Sequence, residues 1–155
     1  RPSTCTVRGR RPHPAVLLRR VSINSQKLWL KVQCRKTKYF VLCAVYRSDS
    51  VSMSRFLDDF SASFMDSLFL GTEVLITCDL NADVLPGSSC PQGRALMDLC
   101  NSFNLSQLVT KPTRSTDTSE TLIDVALTTN ESFITNCDVN ISAVADHCLV
   151  AVIES

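Results

Sequence analysis

The spacing of apolar residues changes several times along this chain, and each change predicts an element. After a Pro-containing basic lead (1–14), AVLLRRV at 15–21 reads as a short strand. LWLKVQC at 28–34 then alternates, placing Leu28, Leu30, Val32 and Cys34 on one face and Lys31 and Gln33 on the other, the period of a half-buried strand. RKTK turns the chain, and the continuous apolar run Tyr39–Tyr46 completes a hairpin with a strand of the kind buried on both sides. Between Ser50 and Leu70 the period lengthens to three and four residues (Met53, Leu57, Phe60, Phe64, Leu68), a helix with Gly71 placed to stop it. VLITC predicts a strand ending at Asp79, and a Pro/Gly/Ser-rich loop (85–93) leads to a second helix, Arg94–Phe103, with Leu96, Leu99, Cys100 and Phe103 as its stripe. Further strands are expected at 107–110, 121–128, 134–142 and 148–153. Strands interleaved with two helices predict one α/β layered domain, 15–155, without internal repeats.

Composition supports a folded chain: of 155 residues 45% are apolar and 20% charged, enough to bury a core. No apolar run approaches the roughly 18 residues of a membrane span, and the first twenty residues, rich in Arg, do not form a secretory signal. The chain opens without Met, as a piece of a longer protein would. The net charge of +1 conceals a split: residues 1–48 hold twelve of the sixteen Lys and Arg and no acid, and the remainder holds all fifteen acids. A basic segment attracts phosphates and clustered carboxylates attract divalent cations, although isolated surface charges are commonly just solvated. Eight cysteines include no C-x-x-C pair, which disfavours zinc; Cys43, Cys78 and Cys148 lie in apolar runs and read as reduced core thiols.

Three segments could carry chemistry. In CDLNAD (78–83) a buried strand runs into Asp79 and Asn81, two apart and so expected to face the same way. A carboxylate can orient a water there while the amide holds a developing oxyanion; the same residues also suit an ordinary turn. In ADHCLVAV (145–152), Asp146 and His147 are adjacent before a strand, so a carboxylate could orient the imidazole, or the pair could be a plain loop. In ETLIDVALTTN (120–130), Asp124 interrupts an apolar strand and calls for a partner such as His147, a metal or water, unless that face is open to solvent.

The ordered series AVYRSDS, LITCDLNAD, LSQLVTKPTR, ETLIDVALTTN and ADHCLVAV resembles the endonuclease/exonuclease/phosphatase family, and within it the apurinic-endonuclease-like nuclease of non-LTR (LINE-type) retrotransposons, over nearly the whole chain from about Val16. The resemblance implies a DNase I-like two-sheet α/β sandwich with outer helices, and Mg2+- or Mn2+-dependent phosphodiester hydrolysis by an activated water. It implies that Tyr46 lies near the scissile phosphate, Asp79 activates the water, Asn81 contacts the phosphate and Asp124 orients the histidine. His147 would hold a phosphate oxygen, with Asp146 supporting it or the metal. DNA would be the substrate, nicked in the nucleus to prime a reverse transcriptase encoded downstream, and Lys31, Arg35, Lys36, Lys38 and Arg47 would contact its backbone.

Departures from the family pattern are also legible. The strand ending in Asn and the strand ending in a metal-binding Glu that open family members have no counterpart, since the first acid here is Asp49. The domain is therefore expected to lack its N-terminal third and a principal metal ligand, and to be a poor nuclease as it stands. Cys78 replaces the glycine before the motif aspartate, Ala145 the serine before Asp146, and Ser48 and Asp49 the prolines after Tyr46-Arg47. A non-catalytic nucleic-acid-binding remnant, or a phosphatase acting on a small or lipid phosphoester, are the alternatives.

Overall fold

The computed structural model describes residues 26–32, 39–140 and 146–154. The basic lead, the 15–21 strand, and Arg35, Lys36 and Lys38 lie outside the described residues. In chain order the elements are β1 (Gln26–Val32), β2 (Phe40–Tyr46), α1 (Met53–Ser67), β3 (Val74–Asp79), α2 (Pro91–Ser102), β4 (Ser106–Gln107), β5 (Arg114–Ser115), β6 (Glu120–Thr121), β7 (Asp124–Thr128), a 3-10 turn (Glu131–Phe133), β8 (Ile134–Asn140) and β9 (Leu149–Glu154). Five strands form one mixed sheet in the order β1-β2-β3-β7-β4, while β5-β6 and β8-β9 are separate antiparallel pairs. The β1–β2 hairpin is antiparallel and β2–β3 parallel, with α1 as the crossover.

Register assigns the two faces of the sheet. Val41, Cys43 and Val45 pair with Val74, Ile76 and Cys78, and Cys78 with Val125, so these residues share the face on which the helices lie. Phe56, Phe60 and Phe64 stack along α1, with Phe103 tilted against Phe64 at 5.0 Å. Each such buried aromatic contributes on the order of 1.5–3 kcal/mol. The thiols of Cys43, Cys78 and Cys100 converge in this layer, and burial pushes all three upward, Cys100 to about 11. On the opposite face Phe40 meets Phe133 at 5.5 Å, and Val139, Val150 and Val152 of the β8–β9 hairpin join the core there.

Local details differ from the periodicity. In β1 the deeply buried residues are Lys27 and Trp29, and Leu28, Leu30 and Val32 are only half-buried. Lys27 can occupy the helix side because its Nζ meets the Asp59 carboxylate at 2.7 Å and donates to Asp59 O and Ser63 Oγ of α1. The α1 stripe runs through Phe56 in place of Leu57, and α1 ends at Ser67, before Gly71. Gly71 instead gives room to Tyr39 and Val41, which an added Cβ would approach within 3.0 and 3.3 Å. α2 begins three residues early because Pro91, which suits the first helical turn, opens it.

Stripping Lys27 of its countercharge should be costly. Asp59→Ala is expected to destabilise by about 3 kcal/mol, the low end for a buried cation left without its partner. Lys27→Met, which removes charge and desolvation together, should cost clearly less; urea denaturation of both variants checks the order.

Candidate active site

Three strand ends meet on one rung. Tyr46 of β2 is the register partner of Asp79 in β3, and Asp79 is the partner of Asp124 in β7. Directly paired residues on adjacent strands share a face, so all three point to the side away from the helices. His147 arrives from the segment before β9, and its Nδ1 lies 3.0 Å from Asp124 Oδ2. Asp79, Asp124 and His147 thereby place potential ligand atoms within 4.8 Å of one another. Tyr46 is exposed at the rim of this group. Asp124 thus finds its partner in His147.

The electrostatics follow from this crowding. Burial is the main reason that the Asp79 carboxyl is raised above its ordinary value, and the charge of Asp124 adds to it. The Asn81 N–H, which donates to Asp79 Oδ1 at 3.3 Å, and His147 oppose the shift without reversing it.

Asn81 does not extend the strand. β3 ends at Asp79, Leu80 turns fully inward, and Asn81 has φ +48°, a left-handed conformation that Asn tolerates better than most residues. Its Nδ2 donates to Arg47 O at 3.0 Å, so Asn81 is fastened beside the chain that follows Tyr46.

The side-chain contacts of Arg47 correct the expectation for it. Its side chain is buried and donates from Nε to Leu80 O (2.7 Å), from Nη1 to Val51 O (2.6 Å), and from Nη2 to Asn81 O (3.1 Å) and Gln92 Oε1 (3.3 Å). A guanidinium committed in this way secures the loop after β3 and has no exposed edge for a phosphate. Lys31 is also displaced from the expected role. It pairs with Val41 on the helix side, five residues along β1 from the Tyr46 rung, or about 17 Å, and its Nζ sits 3.6 Å above the Tyr39 ring. Asp146 is turned to Arg114: its Oδ2 accepts from Arg114 Nε and Nη2, both at 2.9 Å, and it is outside the ligand group found among the described residues. Burial would raise the Asp146 carboxyl, but the hydrogen bond and charge of Arg114, joined by its own backbone N–H and His147, bring it below the ordinary value.

Several supporting residues had no sequence signal. Thr113, fully buried, accepts the N–H groups of Ile123 (3.1 Å) and Asp124 (3.0 Å) on Oγ1, while its carbonyl accepts Cys148 N–H at 2.6 Å. One residue therefore ties the start of β7 to the His147 segment. Asp83 Oδ1 accepts from Leu122 N (2.9 Å) and Leu85 N (3.1 Å), and α2 packs so closely on this loop that a Cβ at Gly93 would collide with Asp83 O. Burial would raise Asp83, but these hydrogen bonds and that of Ser88 bring it below the ordinary value.

Sheet, flanking helices and strand-end site together define the fold of DNase I-like nucleases. Residues 40–151 match the family model described as "Endonuclease-reverse transcriptase", and the chain belongs to that family. Among solved structures it is similar to the endonuclease domain of TRAS1, a telomere-specific non-LTR retrotransposon (TM-score 0.72, 16% identity, 87% of this chain and 64% of that one). It is also similar to an endonuclease/exonuclease/phosphatase family protein from Bacteroides thetaiotaomicron (TM-score 0.56, 15% identity, 81% of this chain and 54% of that one). The chain thus spans less than two thirds of each of these two structures. No curated protein matches it. Among the described residues no helix is long and apolar enough to cross a membrane.

Two measurements probe the site's construction. Folding tightens Asp79's hold on its proton, so ionised Asp79 costs stability above its folded pKa, and the cost fades as pH falls through the ordinary Asp range near 4. Asp79→Asn is accordingly expected to raise Tm at pH 7 in chelator, with the gain shrinking toward about pH 4; thermal melts across that range would show it. Thr113→Val should cost roughly 2–4 kcal/mol, because two buried N–H groups lose an acceptor. Thr113→Ser should recover most of that loss in the same denaturation assay.

Proposed function

We propose that this chain carries the catalytic groups of a divalent-metal-dependent endonuclease that nicks DNA for a non-LTR retrotransposon. The observation that carries this reading is the meeting of Asp79, Asp124 and His147, with Tyr46 on the same rung, although Tyr46 and His147 are about a hundred positions apart in sequence.

Each residue has a task that its surroundings suit. Asp79, with its raised proton affinity, accepts the proton of a water whose oxygen attacks phosphorus, while the bond from phosphorus to the leaving oxygen breaks. Asp124 engages Nδ1 of His147, which leaves Nε2 as the ring atom available to a non-bridging phosphate oxygen, to which it donates when the ring is protonated. Tyr46, exposed beside them, borders the place of the phosphate. Asn81 is held through Arg47 O at the edge of the same site.

The carboxylates of Asp79 and Asp124 fit Mg2+ or Mn2+, which favour oxygen donors, and a cation would relieve their mutual repulsion, while His147 stands within 4.8 Å of both. When bound, the ion would supply charge stabilisation at the phosphoryl oxygens. The glutamate that the family adds to this set has no counterpart in the sequence, so 1–155 is expected to nick slowly, and DNA and a reverse transcriptase remain the partners the reading calls for.

Nicking of supercoiled plasmid with Mg2+ or Mn2+ tests the reading, on this chain and on the chain extended with the family's N-terminal strands. His147→Ala should lower kcat by about 10²–10³-fold, the scale of one oxyanion donor, with DNA affinity little changed. If the extended chain nicks equally well with Asp79→Ala, the assignment fails.

A further inference from the structure

We propose that Arg114 and Asp146 form a clasp that positions His147, with Asp146 engaged in this pair and not in holding a metal. The inference rests on the endonuclease reading of the Asp79–Asp124–His147 site and adds a positioning residue to it.

Three contacts carry the argument. Arg114 Nε and Nη2 both reach Asp146 Oδ2 at 2.9 Å. Arg114 is also joined to His147 itself by an antiparallel backbone bridge, and the neighbouring Thr113 carbonyl accepts Cys148 N–H. The residues on either side of His147 are thus tied to consecutive residues of the 113–114 segment, while Thr113 Oγ1 ties that segment to the backbone of Asp124. His147 Nδ1 and Asp124 Oδ2 stand at 3.0 Å at the centre of this frame. Asp146 precedes His147 in sequence yet is outside the group whose ligand atoms lie within 4.8 Å, and Arg114 opposes its charge. The paired guanidinium edge adds direction to the contact, which an ammonium would not. Both side chains are substantially exposed, so the clasp works by restricting a loop and adds little to global stability.

The test follows two signals in the folded chain: a His147 ring N–H proton held by Asp124, expected to exchange slowly in NMR spectra, and Mn2+ affinity from paramagnetic broadening at the site. Arg114→Ala and Asp146→Ala are each expected to abolish the ring-proton signal, and the double variant to be no worse than either. The reversed pair, Arg114→Asp with Asp146→Arg, should restore the signal. Mn2+ affinity should stay within twofold in every one of these variants. Should an alanine variant fail to fold, Arg114→Lys and Asp146→Asn are read in its place, with a weakened ring-proton signal expected. The clasp is overturned if Asp146→Ala weakens Mn2+ at least tenfold, or if the ring-proton signal persists without Arg114. Failure of the endonuclease reading is separable: Asp79→Ala would leave Mn2+ affinity and nicking unchanged while the ring proton still followed the clasp.

Discussion

Two carboxylates held opposite one another on neighbouring strands are the constraint around which this site is built. Asp79 and Asp124 are register partners, so sheet pairing brings them together whatever their charges prefer. Like charges directly across a ladder are destabilising, and burial worsens the conflict. The surroundings answer it with local donors: the Asn81 N–H on Asp79, and His147 on Asp124. A site that stores such repulsion is prepared for a cation and for a proton in transit, the two things that the proposed phosphodiester hydrolysis would bring to it.

The geometry is maintained largely by backbone contacts, with packing in a secondary role. Arg47 gathers the carbonyls of Leu80, Val51 and Asn81, and Thr113 gathers the N–H groups of Ile123 and Asp124. Between them, Leu80 N–H donates to Ile123 O and Val84 N–H to Leu122 O, so the loops after β3 and before β7 are laced together. Loops cannot rely on apolar burial for their shape, because their polar backbone must be satisfied. Buried Arg and Thr side chains supply those partners here, in a region that periodicity reads as plain turns.

That division explains what was legible in the sequence. The hairpin, α1, β3 and the α/β order were readable, because burial of one face imposes a period, and the carboxylates at strand ends stood out against apolar runs. Asn81 was misplaced since strand alternation was carried one residue pair too far, past a turn that only its positive φ reveals. Lys27 defeated the pattern in β1 because the partner that permits its burial, Asp59, lies on α1, far along the chain. Arg47 and Asp146 share one difficulty for a reading of the sequence: a charged side chain in a motif looks available until its partners are known. For Arg47 those partners are carbonyls; for Asp146 the partner is Arg114.

Charge counts are where this matters most. Of the seven Lys and Arg among the described residues, Lys27, Lys111 and Arg114 are paired with Asp59, Asp138 and Asp146, Arg47 is enclosed by carbonyls, and Lys31 lies over Tyr39. Arg55 and Arg94 remain as exposed cations of the helices. A net excess of base in the first 48 residues describes a long-range field that can draw a polyanion in, but contacts require unpaired groups at the surface. The described part of the chain uses its cations chiefly to hold itself together. On the proposed reading, the framework's own contribution is the arrangement of a few acids and one imidazole for a single phosphate, with few unpaired cations among the described residues to grip a DNA backbone.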